Sequence, residues 1–150
     1  MSNPIKTIVT FQSSNFNVSE PKEYFINAGC FGDDVAKWLI DRLRSKGLPA
    51  ADANQEDFGW YFTFRIVAIE HCIVIGYRPQ NGAEGTWIGW LERHRGFIAS
   101  LLGARKRGIQ NEAVQALHEV LASATEIRSL RWHFRSDFDS GRETLGTPAP

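Results

Sequence analysis

Apolar residues follow two different periods along the chain, and the change of period indicates the fold class. Residues 33–46 and 112–123 repeat apolar positions at the three- and four-residue spacing of a half-buried helix. The predicted inward stripe of the first helix is Val35, Trp38, Leu39, Arg42 and Leu43. From residue 59 the period changes to two, which is typical of a strand with one buried face.

Several further stretches have the β-branched and aromatic composition of strands. They are residues 7–11, a short extended piece around Phe16 and Val18, residues 59–69, 71–78, 86–91 and 127–134. We place a tight turn at Glu70 and interpret residues 48–57 as a connection. The residues expected to share one core are Trp38, Leu39, Phe62, Phe64, Leu117 and Leu121. This order predicts an α+β fold, in which an antiparallel sheet of four to six strands carries two helices on one face.

The length of 150 residues suits one domain, since domains usually hold about 100 to 200 residues. We assign residues 1–136 to that domain. Residues 137–150 have little apolar content and end in Thr-Pro-Ala-Pro, so we predict a disordered tail there. For residues 93–107 the pattern leaves both a strand and a short helix open.

Charge excludes a whole-molecule attraction to nucleic acid or to an anionic membrane, because 17 basic and 17 acidic residues give zero net charge. One local basic segment carries no acidic residue and lies near Trp87, Trp90 and Phe97. Its cations are Arg93, Arg95, Arg105, Lys106 and Arg107. Cations next to aromatic rings are what single-stranded nucleic acid binding uses. A solvated loop is the simpler interpretation, and we do not expect nucleic acid to be the main partner.

Cysteine content and hydropathy point to the cytoplasm. The two cysteines, Cys30 and Cys72, form no Cys-x-x-Cys pair and do not make a secreted disulfide framework. Residues 1–11 lack the apolar run of a signal peptide. No stretch approaches the roughly 18 apolar residues that span a bilayer, so no membrane partner is expected.

One short motif carries a resemblance. The string Gln-Glu-Asp-Phe-Gly-Trp at residues 55–60 follows a helix that ends at a glycine and precedes a strand. It resembles a pattern found in small bacterial proteins of uncharacterised activity. The resemblance implies a bacterial cytosolic protein and transfers no mechanism. Physically, Asp57 suits a turn, Gly59 an unusual backbone conformation, and Trp60 an anchor in the core.

No arrangement of residues predicts catalysis, a metal site or a cofactor. Cys30 precedes a helix, which lowers a thiol pKa, but Asp33 and Asp34 oppose a thiolate there. We therefore interpret Cys30 and Cys72 as packing residues. The histidines His71, His94, His118 and His133 are dispersed, with none of the spacings of a metal site. Nucleophile, phosphate-loop and dinucleotide motifs are absent from the sequence.

Polar side chains alternate with the apolar ones on two predicted strands. They are Tyr61, Thr63 and Arg65 on one strand, and Arg131, His133 and Arg135 on the other. If these strands are neighbours, several cations share one face of the sheet. Solvent is the ordinary environment of such a face, and an anionic ligand or an acidic protein is the alternative.

The leading functional prediction is a non-catalytic protein-interaction domain. It rests on the missing catalytic motifs and on five Trp, ten Phe and three Tyr, since large rings make good interface anchors. Two alternatives stay open. One is a small enzyme or binder that holds an anion between Arg65, His133 and Arg135. The other is a weak single-stranded nucleic acid binder that uses the basic segment. The pattern does not specify an oligomeric state.

Overall fold

Six strands form one antiparallel sheet in the computed structural model, which describes residues 4–56, 59–93 and 108–150. The strands are β1 (Ile8–Gln12), β2 (Asn54–Glu56), β3 (Gly59–Ile66), β4 (Ile69–Gln80), β5 (Ala83–Arg93) and β6 (Arg128–His133). Their order across the sheet is β2-β3-β4-β5-β1-β6. Every neighbouring pair is antiparallel. The first strand of the chain therefore lies between β5 and β6.

Two helices, α1 (Asp33–Ser45) and α2 (Asn111–Ala122), share one core with the inward face of the sheet. The predicted core residues Leu39, Leu117, Leu121, Phe62 and Phe64 are all buried in it, and Trp38 packs against it while partly buried. The α+β prediction, with its antiparallel sheet of four to six strands, is confirmed.

The buried stripe of α1 is rotated from the predicted one. Ala36 and Ile40 are buried, whereas Arg42 is exposed. The Arg42 guanidinium lies 5.1 Å from the centre of the Trp38 ring. A guanidinium group over an aromatic ring remains hydrated while the aliphatic part of the side chain covers the ring. Arg42 therefore has the helical spacing of the buried residues but is itself exposed.

The turn between β3 and β4 lies earlier than predicted. Val67 and Ala68 form it with φ of 51° and 61°, and Ile66 pairs with Ile69 across it. A two-residue hairpin turn needs left-handed backbone at its centre, which β-branched residues disfavour. Val67 and Ala68 therefore carry no turn signal, and the prediction of a turn at Glu70 was wrong.

Two connecting stretches also differ from their predictions. The segment around Phe16 and Val18 is not a strand; Phe16 is buried instead, with ring centres 5.8 Å from Trp38 and 5.9 Å from Trp87. Part of the predicted connection 48–57 forms the short edge strand β2. This edge of the sheet is thus only three residues long, which limits unwanted strand pairing there.

The segment predicted to be a disordered tail has defined structure. A short helix α3 (Arg135–Asp139) and a 3₁₀ turn (Glu143–Leu145) follow β6. Thr147 then exchanges two backbone hydrogen bonds with Trp132, of 2.7 and 2.9 Å. Backbone pairing and charged contacts hold this segment, and neither its helix nor its 3₁₀ turn contains a buried residue. Apolar content alone therefore does not reveal its order.

Candidate functional site

The predicted anion site between β3 and β6 is not assembled, because these strands are not neighbours. Three strands separate them, which corresponds to about 19 Å at the usual strand spacing. Arg135 begins α3 and does not continue the strand; it lies 3.6 Å from Asp139 within that helix. Arg65, His133 and Arg135 therefore cannot contact one small anion in this structure.

The predicted residues form two separate groups with local explanations. On β3, Tyr61 and Thr63 are partly buried and Arg65 is exposed. Glu70 lies directly opposite Arg65 in the β3–β4 register, which puts an acidic residue beside the cation. On β6, the Arg131 guanidinium donates to the Leu130 carbonyl at 2.8 Å.

His133 differs from the other members of this constellation because it is only 3% exposed. Its Nε2 lies 2.8 Å from the hydroxyl oxygen of Thr10 on β1. Burial lowers the pKa of His133, and the charges of Lys6, Arg131 and Arg78 act in the same direction. Glu143 opposes that shift. The imidazole is therefore kept neutral beside several cations.

Other candidate residues have structural roles or lie outside the described residues. His71 Nε2 accepts from the backbone N–H of Gln110 at 3.1 Å, and His118 Nδ1 accepts from the Trp132 indole at 3.1 Å. In the described parts of the chain, no three His, Cys, Asp or Glu side chains converge on a possible metal site. The basic cluster of Arg95, Arg105, Lys106 and Arg107, like His94, lies outside the described residues, and Arg93 ends β5.

The most exposed apolar side chains of the described structure include three from one loop, residues 17–31. Ile26 is 82% exposed, Tyr24 54% and Val18 39%. We call this segment the aromatic loop, because Tyr24, Phe25 and Phe31 belong to it. Single exposed apolar residues are ordinary on protein surfaces. Three on one loop become informative only if the loop is held in place.

Gln55 on the edge strand β2 holds the tip of the aromatic loop through its side-chain amide. Its Oε1 accepts from the backbone N–H of Ile26 at 2.5 Å and from that of Asn27 at 3.3 Å. Its Nε2 donates to the carbonyls of Asn27 at 2.9 Å and Cys30 at 3.4 Å. The side-chain amide of Gln55 thus both accepts from and donates to the loop backbone. These bonds hold the backbone that carries the exposed Ile26 side chain.

Trp60 supports the loop from below. Its indole N–H donates to the Cys30 carbonyl at 2.9 Å. Its ring lies 5.1 Å from the Phe25 ring and 6.3 Å from the Tyr24 ring, between ring centres. Trp60 is buried in the core at the start of β3. The loop therefore rests on a rigid aromatic support.

A polar cluster fixes the Tyr24 ring to the start of α1. The Tyr24 hydroxyl donates to the buried carboxylate of Asp33, and Lys37 Nζ donates to the Tyr24 oxygen at 3.1 Å. The bond to Asp33 raises the pKa of Tyr24, and the bond to Tyr24 raises the pKa of Lys37. Both shifts move away from neutrality, so the pair positions a ring and is not suited to acid–base catalysis near pH 7.

The rim of the aromatic loop is acidic. Glu20, Lys22 and Glu23 are all exposed, so the loop itself carries two negative charges and one positive. None of the three forms an ion pair with another described residue. The loop therefore exposes two carboxylates and one ammonium group that are not neutralised by ion pairs within the described structure.

Sequence reasoning missed the aromatic loop, although one signal pointed to its support. Gln55 and Trp60 are the first and last residues of the motif at residues 55–60, and both contact the loop directly.

Comparisons with family models, with curated proteins and with solved structures find no match to this chain. Within the residues that the structure describes, no helix is both long and apolar enough to cross a membrane.

Proposed function

We propose that the chain is a non-catalytic protein-binding domain and that the aromatic loop is its contact surface. The observation that carries the proposal is Ile26, which is 82% exposed on a backbone held by the Gln55 amide. A loop that is fixed before binding loses little conformational freedom when a partner covers it. Its exposed side chains therefore contribute most of their burial energy to association.

The size of that contribution is appropriate for an interface anchor. Burying an exposed isoleucine stabilises a complex by about 1.5 to 3 kcal/mol, and Tyr24 adds a large rigid ring. A few residues of this kind commonly supply most of the affinity of an interface. The fitting partner offers an apolar socket for Ile26 and basic groups around it, which complement Glu20 and Glu23.

The ionisable groups beside the aromatic loop favour binding over catalysis. The titratable groups next to the loop, Tyr24 and Lys37, have pKa values shifted away from neutrality. A location in the bacterial cytosol stays a prediction. The motif at residues 55–60 indicates a bacterial source, and cysteine content and hydropathy indicate the cytosol. We extend the proposal to a cytosolic partner on that basis.

Site-specific photocrosslinking tests the proposal. A photoreactive phenylalanine analogue replaces Ile26 in the full chain, in the cells that naturally produce it. A matched variant carries the analogue at Val67, which is 68% exposed on the β3–β4 turn and not part of the loop. We expect one discrete protein adduct from position 26 and none from position 67.

The adduct must also depend on the anchors of the loop. Adding Tyr24→Ala to the position-26 variant should reduce its yield severalfold. A position-26 variant that gives no discrete adduct, or the same adducts as position 67, contradicts the proposal.

A further inference from the structure

A second surface lies at the opposite edge of the sheet, where residues 134–147, here called the strap, cover part of the face turned away from the helices. The strap follows β6 and returns so that Thr147 pairs with Trp132. The aromatic loop contacts β2 and the strap contacts β6, five strand spacings apart, or about 24 Å. The two surfaces are therefore separate.

The main charged contact of the strap is an arginine–carboxylate pair. Arg78 on β4 donates from both terminal nitrogens to Glu143, at 2.5 Å and 3.0 Å. This bidentate geometry is the one in which guanidinium groups recognise carboxylates of ligands. The hydrogen bonds from Arg78 lower the pKa of Glu143, which keeps it ionised.

The protein surface beneath the strap is cationic, and one buried nitrogen in it lacks a hydrogen-bond partner among the described residues. Arg78, Arg131 and Lys6 all act on His133 as positive charges. His133 Nδ1 is buried and has no hydrogen-bond partner among the described residues. Among the described charged groups that act on His133, Glu143 supplies the carboxylate. The strap therefore covers a cationic surface and supplies it with a carboxylate.

The strap is lightly attached for a segment that covers a buried residue. Its described side chains are all partly or fully exposed. Besides the Arg78 pair, it is held by the two backbone bonds at Thr147 and a 2.5 Å bond from Lys6 Nζ to Thr147 Oγ1. Two ring contacts add to these: Phe138 packs on His133, and Lys6 Nζ lies 5.2 Å from the centre of the Phe134 ring. Segments with few buried apolar contacts open at low free-energy cost.

We infer that the strap is an internal ligand and that Arg78, His133 and the outer edge of β6 form a binding site for an extended peptide that carries a carboxylate side chain. Glu143 supplies the carboxylate, and Thr147 supplies the strand-like backbone contacts to Trp132. A peptide in trans reproduces both features, whereas a free phosphate or carboxylate lacks the backbone pairing. Strand addition combined with a charged contact is an established mode of peptide recognition.

Gly146 provides a way to open the strap without replacing a residue of the site. A Cβ at this position would lie 2.7 Å from His133 Nδ1, which is too close. The φ of Gly146 is −62°, an ordinary value for any residue. Gly146→Ala should therefore displace the strap through this contact and not through backbone strain. Glu143→Gln weakens the attachment of the strap in a second way, because glutamine keeps the shape of the side chain and removes the charge that pairs with Arg78.

The test measures binding of a labelled synthetic peptide, Ser-Gly-Arg-Glu-Thr-Leu-Gly-Thr-Pro-Ala-Pro (residues 140–150), to full-length variants by fluorescence anisotropy. In the native chain the strap competes at an effective concentration of about millimolar, so micromolar peptide should bind weakly. We expect Glu143→Gln to raise affinity by about tenfold or more, as the loss of a charge-assisted contact implies. Gly146→Ala should also raise it by about tenfold or more, because the added Cβ clashes with His133. Asp139→Asn is the matched control, since its partner Arg135 is exposed. It should bind as the native chain does.

Two further measurements separate the site from non-specific binding. Adding Arg78→Gln to either opened variant should reverse the gain, and a peptide with glutamine in place of its glutamate should bind about tenfold more weakly. Equal binding of the two peptides, or no gain in either opened variant, overturns the inference. If Gly146→Ala does not fold, Glu143→Gln decides the result. Binding of inorganic phosphate without binding of the peptide also overturns it.

Discussion

Replacing Gln55 by alanine is the sharpest test of how the aromatic loop is held. The substitution removes four hydrogen bonds to the loop backbone, of 2.5, 2.9, 3.3 and 3.4 Å. Net contributions are about 0.5 to 1.5 kcal/mol per bond, and water replaces part of each where the loop is exposed. Two of the four bonds are long, so we expect a loss of about 1 to 2 kcal/mol in the local free energy of opening.

Hydrogen exchange of the Ile26 and Asn27 amides measures this opening directly. Since 1.4 kcal/mol is a factor of ten, protection of both amides should fall by roughly 5- to 30-fold in Gln55→Ala. Gln55→Glu should keep the two acceptor bonds but repel the carbonyls of Asn27 and Cys30, and therefore give an intermediate loss. Gln80→Ala, at the exposed end of β4, is the control. Unchanged protection at Ile26 would refute the role assigned to Gln55.

Three further predictions concern stability and thiol chemistry. Leu39→Ala should cost about 2 to 5 kcal/mol in urea denaturation, since Leu39 is buried in the core; a change under 1 kcal/mol would contradict that assignment. Burial lowers the pKa of His133 from its ordinary 6.5, so the unfolded chain takes up its proton first and stability should fall as pH drops below about 6.5; His133→Gln should flatten that slope. Cys30 and Cys72 should stay reduced and be dispensable, and Cys72, 2% exposed, should react with thiol reagents only on unfolding; fast labelling of Cys30 near neutral pH would contradict its packing role.

Local patterns in the sequence predict the elements of this fold better than their arrangement. The alternation of Trp60, Phe62, Phe64 and Ile66 fixes the inward face of β3, and all four are buried. Strand order depends on contacts between distant residues, and β1 lies between β5 and β6. The prediction that the polar residues of β3 and β6 lie together on one face of the sheet required these strands to be neighbours, which they are not.

The candidate loop was missed for a related reason. It is held by Gln55, whose contacts at Ile26 span 29 residues of sequence, and a glutamine in a polar stretch carries no periodic signal. Trp60 was recognised as an anchor, but its indole bond to the Cys30 carbonyl spans 30 residues. Side-chain bonds to distant backbone leave no trace in hydrophobic spacing.

Ile26 is proposed to anchor a protein partner, and the dissociation constant of the crosslinked partner measures that role. Isothermal titration of that partner should give an affinity at least about 30-fold weaker for Ile26→Glu than for the native chain, as expected for an anchor worth 2 kcal/mol or more. Val67→Glu adds the same charge at another exposed apolar position, 68% exposed, and should leave the affinity unchanged. Equal affinities for the native chain and Ile26→Glu would contradict the account.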